Sequence, residues 1–227
     1  MIYLINDIDG RIAFPNPREG EPDGLFAVGG DLSVDRLLLA YSHGIFPWYA
    51  YRKEDAGLLD ENGNPYIQWW CPMQRFVIFP EEIHISHSMR QLIKKQKYDI
   101  RFNTAFDQVI RHCGALREHE RGAWLGPHIV EAYTALHELG LSKSVEVWEG
   151  DKLVGGLYGV TIGSCFIGES MFSLVPSASK LALIALARTM EANGGRMIDC
   201  QLETAHLRSM GGRFITYDEY MKILREQ

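Results

Sequence analysis

Near its carboxyl end the chain carries a carboxylate and an amide two residues apart in an otherwise apolar stretch, "MIDCQL". The alternation predicts a strand over 197–202 in which Asp199 and Gln201 share one face, while Ile198 lies on the other. Such a pair either completes a buried hydrogen-bond network or forms a polar site at the end of a strand. Acyl transfer to an amine is a reaction that this kind of site serves.

Two further stretches place polar side chains among apolar ones. Glu169 stands in "GESMFS", and because an isolated buried carboxylate is costly, it is either ion-paired or functional. The segment "SASK", residues 177–180, offers backbone N–H groups and a cation at a predicted helix start. This segment suits a phosphate or a carboxylate, but an ordinary helix N-cap is the interpretation that the sequence favours.

Two tryptophans lie in segments punctuated by glycine and proline, Trp48 in "GIFPWY" and Trp124 in "RGAWLGP". Aromatic side chains in such loops suit an apolar ligand or a nucleobase that stacks on them. Trp69 and Trp148 stand in apolar runs, where we expect them to pack in the core.

Composition excludes several classes of protein. The 227 residues are 46% hydrophobic and 23% charged, and no apolar run approaches the length that spans a membrane. The amino terminus lacks the basic and apolar regions of a signal peptide. The four cysteines and eight histidines show no metal-binding spacing, so we expect reduced thiols, no metal and a cytoplasmic location.

The charge distribution is less uniform than the net charge of −6 indicates. That net charge argues against a nucleic-acid binder, but a binding site needs only a local patch. Between His84 and Arg101 there are five basic residues and one acid, Asp99.

The elements that must position these residues fall into two parts, 1–73 and 74–227. The first part is rich in Pro, Gly and aromatic residues, with a helix that begins after Ser33, and we interpret it as a small domain. The second part predicts an α/β (α+β) fold: strand, helices, consecutive antiparallel strands, a long helix from a serine cap at "SASK", and the strand with Asp199. That order is typical of an acetyltransferase-like domain with a mixed, largely antiparallel sheet flanked by helices.

Together these segments resemble the leucyl/phenylalanyl-tRNA–protein transferase family over residues 13 to 212. The matching motifs are "FPNP", "EPDGLFAVGGDLS", "RLLLAYSHGIFPWY", "WWCP", "HISHSM", "WLGPHIVEAYTALHELG", "SVEVWEGDKLVGGLYGV", "FIGESMFS", "ASKLAL" and "GGRMIDCQ". No single motif decides the resemblance, but the ordered set is highly specific.

The resemblance implies an activity. Leu, Phe or, less well, Met moves from aminoacyl-tRNA to the α-amino group of a protein that begins with Arg or Lys, which marks that protein for degradation by the N-end rule pathway. It implies contact with the 3′ end and acceptor stem of the tRNA, no coenzyme and no metal. We expect a monomer that does not bind membranes.

The resemblance also assigns roles to residues. Gln201 contacts the attacking amine, and Asp199 polarises Gln201, relays the proton or acts as an electrostatic anchor. Glu169 recognises the cationic acceptor residue or holds Gln201. Trp48 and Trp124 lie near the terminal adenosine, and the donor side chain is bound by Leu157, Phe166, Met171, Leu186 and Ile198. Arg90, Lys94 and Lys95, with Arg75 nearby, follow the phosphates of the acceptor stem.

Three alternatives share some of these features. A coenzyme A-dependent N-acetyltransferase would have the same fold, but the glycine-rich pyrophosphate loop that it needs is replaced by "FSLVPSASK". A non-enzymatic tRNA-binding module has no use for polar residues at 169, 199 and 201. A cell-wall peptide ligase that uses aminoacyl-tRNA is a third alternative, although such enzymes are usually longer, with a duplicated domain.

Overall fold

The computed structural model of the chain describes residues 2–5, 12–48, 66–121 and 127–226. Within these ranges the strands form one sheet of four strands and one of seven. Helices lie beside both sheets, and this is the mixed α/β class that the sequence predicts.

The smaller sheet is built from the amino-terminal part of the chain, in the order β1-β2-β4-β3. Its strands are β1 (Tyr3–Ile5), β2 (Leu25–Gly29), β3 (Phe46–Trp48) and β4 (Gln68–Trp70). Helix α1 (Val34–Ser42) connects β2 to β3 and begins as predicted, since the Ser33 side chain accepts a hydrogen bond from the Arg36 amide.

The larger sheet has the order β11-β5-β10-β9-β8-β7-β6. Its strands are β5 (Gln74–Ile78), β6 (Asp99–Phe102), β7 (Ser142–Glu149), β8 (Lys152–Ile162), β9 (Cys165–Ser173), β10 (Met197–Asp199) and β11 (Arg213–Thr216). Strand β10 pairs with β9 in parallel, and the other pairs are antiparallel. The sheet is therefore mixed and largely antiparallel, with β11 as a strand that the sequence did not predict.

Helices follow the strands at the predicted places. They are α2 (His87–Lys94), α3 (Phe106–Arg121), α4 (Pro127–Glu138), α5 (Ala178–Ala192), α6 (Ala205–Ser209) and α7 (Tyr217–Arg225). Ser86 caps α2, and Thr216 and Glu219 form a capping box at the start of α7.

The start of α5 differs from the prediction of a serine N-cap. Ser177, the residue before the helix, has a left-handed backbone with φ of 71° and makes no side-chain capping bond. The Ser173 hydroxyl, at the end of β9, accepts from the Ser179 amide instead, at 3.1 Å. Helix α5 starts close against β8 because Gly155 lies there, where an added Cβ would be 2.4 Å from the Ala178 Cβ.

Two apolar clusters divide the larger sheet by face. On the face that we call the α3 face, Val77, Ile167 and Met197 pack in one cluster with α3, α4 and the amino-terminal part. On the opposite face, the α5 face, Ile78, Phe166 and Ile198 pack in the other cluster with α5. The alternation along β10 therefore sends Asp199 toward the α3 face and Ile198 toward the α5 face.

Candidate active site

Asp199 is held in a buried ion pair at the end of β10. Its carboxylate accepts hydrogen bonds from Arg75 Nε and Nη2, at 2.8–3.1 Å, and from the Tyr220 hydroxyl at 2.9 Å. The Gln201 backbone N–H donates to Asp199 Oδ1 at 2.8 Å. Asp199 is 0% exposed and Arg75 is 2% exposed, so this carboxylate is an internal anchor.

Arg75 corrects one prediction from the sequence, which placed it with the residues that contact tRNA phosphates. Its guanidinium carbon lies 4.6 Å from the centre of the Phe46 ring and 4.8 Å from that of Tyr220, between two aromatic side chains. Asp199, despite the cost of burial, keeps the pKa of Arg75 above its ordinary value. Arg75 is thus the charge partner of Asp199 and cannot reach a phosphate at the surface.

Gln201 lies outside the strand, which is a second correction. Strand β10 ends at Asp199, and Gln201 has a left-handed backbone with φ of 62°. The two residues therefore do not share a strand face in the predicted way. The Asp199 carboxylate holds the Gln201 backbone, and the Gln201 side chain donates from Nε2 to Glu169 Oε1 at 3.4 Å.

Glu169 is 7% exposed and forms a compact cluster with two tyrosines. The Tyr41 hydroxyl lies 2.7 Å from Oε1, the Tyr133 hydroxyl 2.9 Å from Oε2, and the two hydroxyls lie 2.5 Å apart. Burial raises the pKa of Glu169 to about 7, although the hydrogen bonds that the Tyr41 and Tyr133 hydroxyls donate to its carboxylate favour the charged form.

This raised pKa predicts a stability change with pH. Between pH 4.5 and about 7 the folded protein keeps a proton on Glu169 that the unfolded chain has released. Stability from this group is therefore present at low pH and is lost as the pH rises, by up to about 3 kcal/mol. Urea unfolding of the wild type and of Glu169→Gln across this pH range measures the difference in the free energy of unfolding. If the two free energies changed with pH in parallel, the raised pKa of Glu169 would be contradicted.

The five side chains assigned to the donor pocket lie together, on the α5 face. Leu157, Phe166, Leu186 and Ile198 are buried in the α5-face cluster, and Met171 packs against it half-buried. Leu157 and Met171 are opposite each other on β8 and β9, as are Ile198 and Phe166 on β10 and β9. The pocket residues and Asp199 are thus on opposite faces of one sheet.

The pairing between β9 and β10 ends close to the polar site residues. Strand β10 pairs with β9 only as far as Asp199 and Ile167, whereas β9 continues to Ser173. Glu169, Gln201 and Met171 lie at or just beyond this point. At this point Gln201 bonds to Glu169, and Met171 packs against the apolar cluster of the α5 face.

Of the two tryptophans assigned to the terminal adenosine, one can be located. Trp48 is half-buried on β3, with its ring centre 6.3 Å from that of Phe46 and 6.1 Å from that of Trp70. Trp124 lies outside the described residues. Trp69 and Trp148 are buried in the core, as predicted.

The sequence of this chain matches one protein family over both of its parts. The profile for the amino-terminal domain of leucyl/phenylalanyl-tRNA protein transferase matches residues 30–73, and the profile for the transferase itself matches residues 77–225. The chain belongs to the leucyl/phenylalanyl-tRNA–protein transferase family. It is 50% identical over 204 residues to the leucyl/phenylalanyl-tRNA–protein transferase of Nitrosomonas eutropha, with 90% of this chain and 82% of the relative covered.

The family relationship also extends over complete lengths. The transferase of Flavobacterium johnsoniae is 42% identical over 228 residues, which cover 100% of both chains. Among solved structures, L-PGS from Bacillus licheniformis is similar with a TM-score of 0.42 and 9% identity, over 79% of this chain and 54% of that one.

The basic helix of this family member is exposed as the sequence predicts. Arg90, Lys94 and Lys95 are on the surface at α2, and Arg90 Nε donates to the Ile85 carbonyl at 2.9 Å. His87 and Gln91 are exposed on the same helix. The structure therefore presents a short positive surface, which we call the α2 patch (Arg90, Lys94, Lys95).

Sequence reasoning missed the partners that hold the site of this transferase-family chain. Tyr41, Tyr133 and Tyr220 are buried and bonded to Glu169 or Asp199, and Arg75 was given a different role. Buried tyrosine hydroxyls need partners, which is the signal that links them to the carboxylates. Among the described residues, no cluster of His, Cys, Asp and Glu suits a metal ion, and no helix is long and apolar enough to cross a membrane.

Proposed function

We propose that this chain transfers Leu, Phe and, less well, Met from aminoacyl-tRNA to the α-amino group of proteins that begin with Arg or Lys. The observation that carries the proposal is the placement of Gln201. Its backbone is fixed by Asp199 and its side chain reaches Glu169, just beyond the point where the pairing of β9 and β10 ends, in a chain of the transferase family. We further propose a cytoplasmic monomer that acts in the N-end rule pathway.

The protein does not have to activate the donor, because the aminoacyl ester is already activated. The amine nitrogen bonds to the ester carbonyl carbon, the bond from that carbon to the ribose oxygen breaks, and the ribose leaves as a hydroxyl with the proton of the amine. An α-amine has a pKa near ~8, so a useful fraction is neutral at pH 7. The protein must position this amine and stabilise the charge that develops.

Each polar residue has a separate part in this proposal. The Gln201 side-chain amide binds the attacking amine, and Glu169 holds that amide in place. Asp199 acts as an electrostatic anchor, since its oxygens are engaged by Arg75, Tyr220 and the Gln201 backbone. A carboxylate with these partners has no free position from which to accept a substrate proton directly.

The donor side chain enters the α5-face cluster. Leu157, Met171 and Leu186 are unbranched at Cβ and flexible, so they can move apart for a Leu, Phe or Met side chain. A β-branched Val or Ile has less freedom at χ1 and fits such a slot less well.

A comparison of two donor substrates distinguishes this function from coenzyme A-dependent acetylation. The purified chain is incubated with Phe-tRNA or with acetyl-CoA, each with a peptide that begins with Arg and with a matched peptide that begins with Ala. We expect Phe on the Arg peptide only. Acetylation of either peptide without Phe transfer would overturn the proposal, and equal Phe transfer to both would overturn the acceptor specificity.

The α2 patch provides a prediction about the tRNA. Lys94→Glu with Lys95→Glu should raise the apparent KM for Phe-tRNA by at least about tenfold, because two phosphate contacts become repulsive. The ratio of kcat/KM for Phe-tRNA to that for a minimal aminoacyl-adenosine donor should fall by the same factor. Lys152→Glu with Lys222→Glu is the control of equal charge. Losses of equal size with both donors would contradict the role of the patch.

A further inference from the structure

A cavity lies at the start of α5. It has a volume of about 460 Å³ and lies between the end of β9, the first turn of α5 and α6. Its lining residues are Ser173, Leu174, Val175, Pro176, Ser177, Ser179, Lys180 and His206. The segment "SASK", for which the sequence favoured an ordinary N-cap, forms one wall.

One polar side chain at this cavity has a buried ring nitrogen that makes no hydrogen bond within the described part of the chain. His206 Nε2 is buried without a hydrogen-bond partner there. Ser179 is 8% exposed, and its hydroxyl makes no hydrogen bond in the same ranges. Buried polar atoms are normally paired, so the unpartnered His206 Nε2 beside this cavity indicates that a polar ligand completes it.

The charge of the cavity favours an anion. Lys180 lies in the first turn of α5, where the Ser177 amide precedes the helix in a left-handed residue and the helix dipole is positive. Burial and the neighbouring Lys180 hold the pKa of His206 below its ordinary value, so an anion between the two would relieve both. Glu203, the acid nearest to His206 in sequence, is paired with Arg208.

The position of the cavity selects the anion. Ser173 follows Glu169 by four residues on β9, which places the cavity roughly 13 Å along the strand from the proposed reaction site. That distance is too long for the reacting ester itself. It fits the single-stranded RNA segment that precedes the ester. Leu174 and Pro176 line the cavity and are exposed, so nucleobases can pack on them.

We propose that this cavity binds a phosphodiester of the single-stranded 3′ end of the donor RNA, just before the terminal adenosine. The inference rests on the proposed function, since it extends the same donor site. Lys180, Ser179 and His206 bind the phosphate without reading sequence, whereas the α2 patch contacts the duplex stem. The cavity thereby sets how far the 3′ end reaches toward Gln201.

The trinucleotide CpCpA tests the cavity directly, because it carries this strand without the stem. We expect Lys180→Glu to weaken CpCpA binding in calorimetry about tenfold, and the slope of log K against log salt to fall by about 0.7. Lys180→Gln should give a smaller loss of the same kind. The control Arg188→Glu, an exposed cation farther along α5, should bind as the wild type does. The ¹⁵N signal of His206 Nε2 should shift on titration with CpCpA in the wild type.

The outcomes are distinguishable. If the wild type transfers no Phe from Phe-tRNA, the proposed function fails, whatever CpCpA binding shows. If it transfers Phe while both Lys180 variants bind CpCpA as the wild type does and the His206 signal is unmoved, the cavity proposal alone fails. Coenzyme A is titrated in parallel as a second source of phosphate. Tighter binding of coenzyme A than of CpCpA, lost in Lys180→Glu, would also overturn the proposal.

Discussion

Replacing Arg75 with Met should lower the free energy of unfolding by about 3 to 5 kcal/mol, since it leaves the Asp199 charge buried without its partner. Phe transfer should fall with it, because Asp199 then no longer fixes the Gln201 backbone. Urea unfolding gives the stability, and single-turnover transfer at saturating Phe-tRNA gives the rate.

A second variant separates structural loss from loss of positioning. In Arg75→Met with Asp199→Leu, no buried charge remains unpaired, so most of the stability should return. Transfer should stay low, because the anchor for Gln201 is absent. Recovery of transfer together with stability would show that the ion pair is only structural, and would contradict the positioning role.

Gln201→Gly should lower kcat for Phe transfer by about 100-fold, the size typical for loss of one group that stabilises a transition state. Glycine adopts the left-handed backbone at no steric cost and keeps the amide that donates to Asp199. The stability should therefore change by less than about 2 kcal/mol. Comparing the change in kcat with the change in the free energy of unfolding in urea separates the effect of losing the Gln201 side chain from any effect on the backbone.

Two variants at the same position serve as controls. Gln201→Asn tolerates the left-handed backbone and keeps a shorter amide, so it should retain part of the activity. Gln201→Ala removes the side chain and adds backbone strain, so it should lose both activity and stability. If Gln201→Gly transferred Phe at the wild-type rate, the side chain would have no part in the reaction.

Local patterns predicted the parts of the fold that depend on neighbours in sequence. Ser33 and Ser86 cap α1 and α2 where expected, and the hairpins of β7, β8 and β9 turn at the predicted glycine-containing segments. The two-face alternation along β10 also holds up to Asp199. These features depend on interactions within a few residues or on a simple period.

The arrangement of the site depended on contacts that no local pattern contains. Arg75 and Asp199 are 124 residues apart, and their ion pair fixes the backbone at which β10 ends. Arg75 was misplaced because the resemblance grouped it with the basic helix, and no local pattern shows that its charge is buried. Likewise, Tyr41 and Tyr133 reach Glu169 from α1 and α4, two helices that only the tertiary fold brings to β9.

A crystal structure with puromycin, an aminoacyl-adenosine analogue, tests the central claim most directly. We expect its aromatic side chain between Leu157, Met171 and Leu186, and its carbonyl carbon within about 3.5 Å of the place where an acceptor amine bound to Gln201 would lie. Binding with the aromatic group elsewhere, and with the carbonyl group remote from Gln201 and Glu169, would contradict the account.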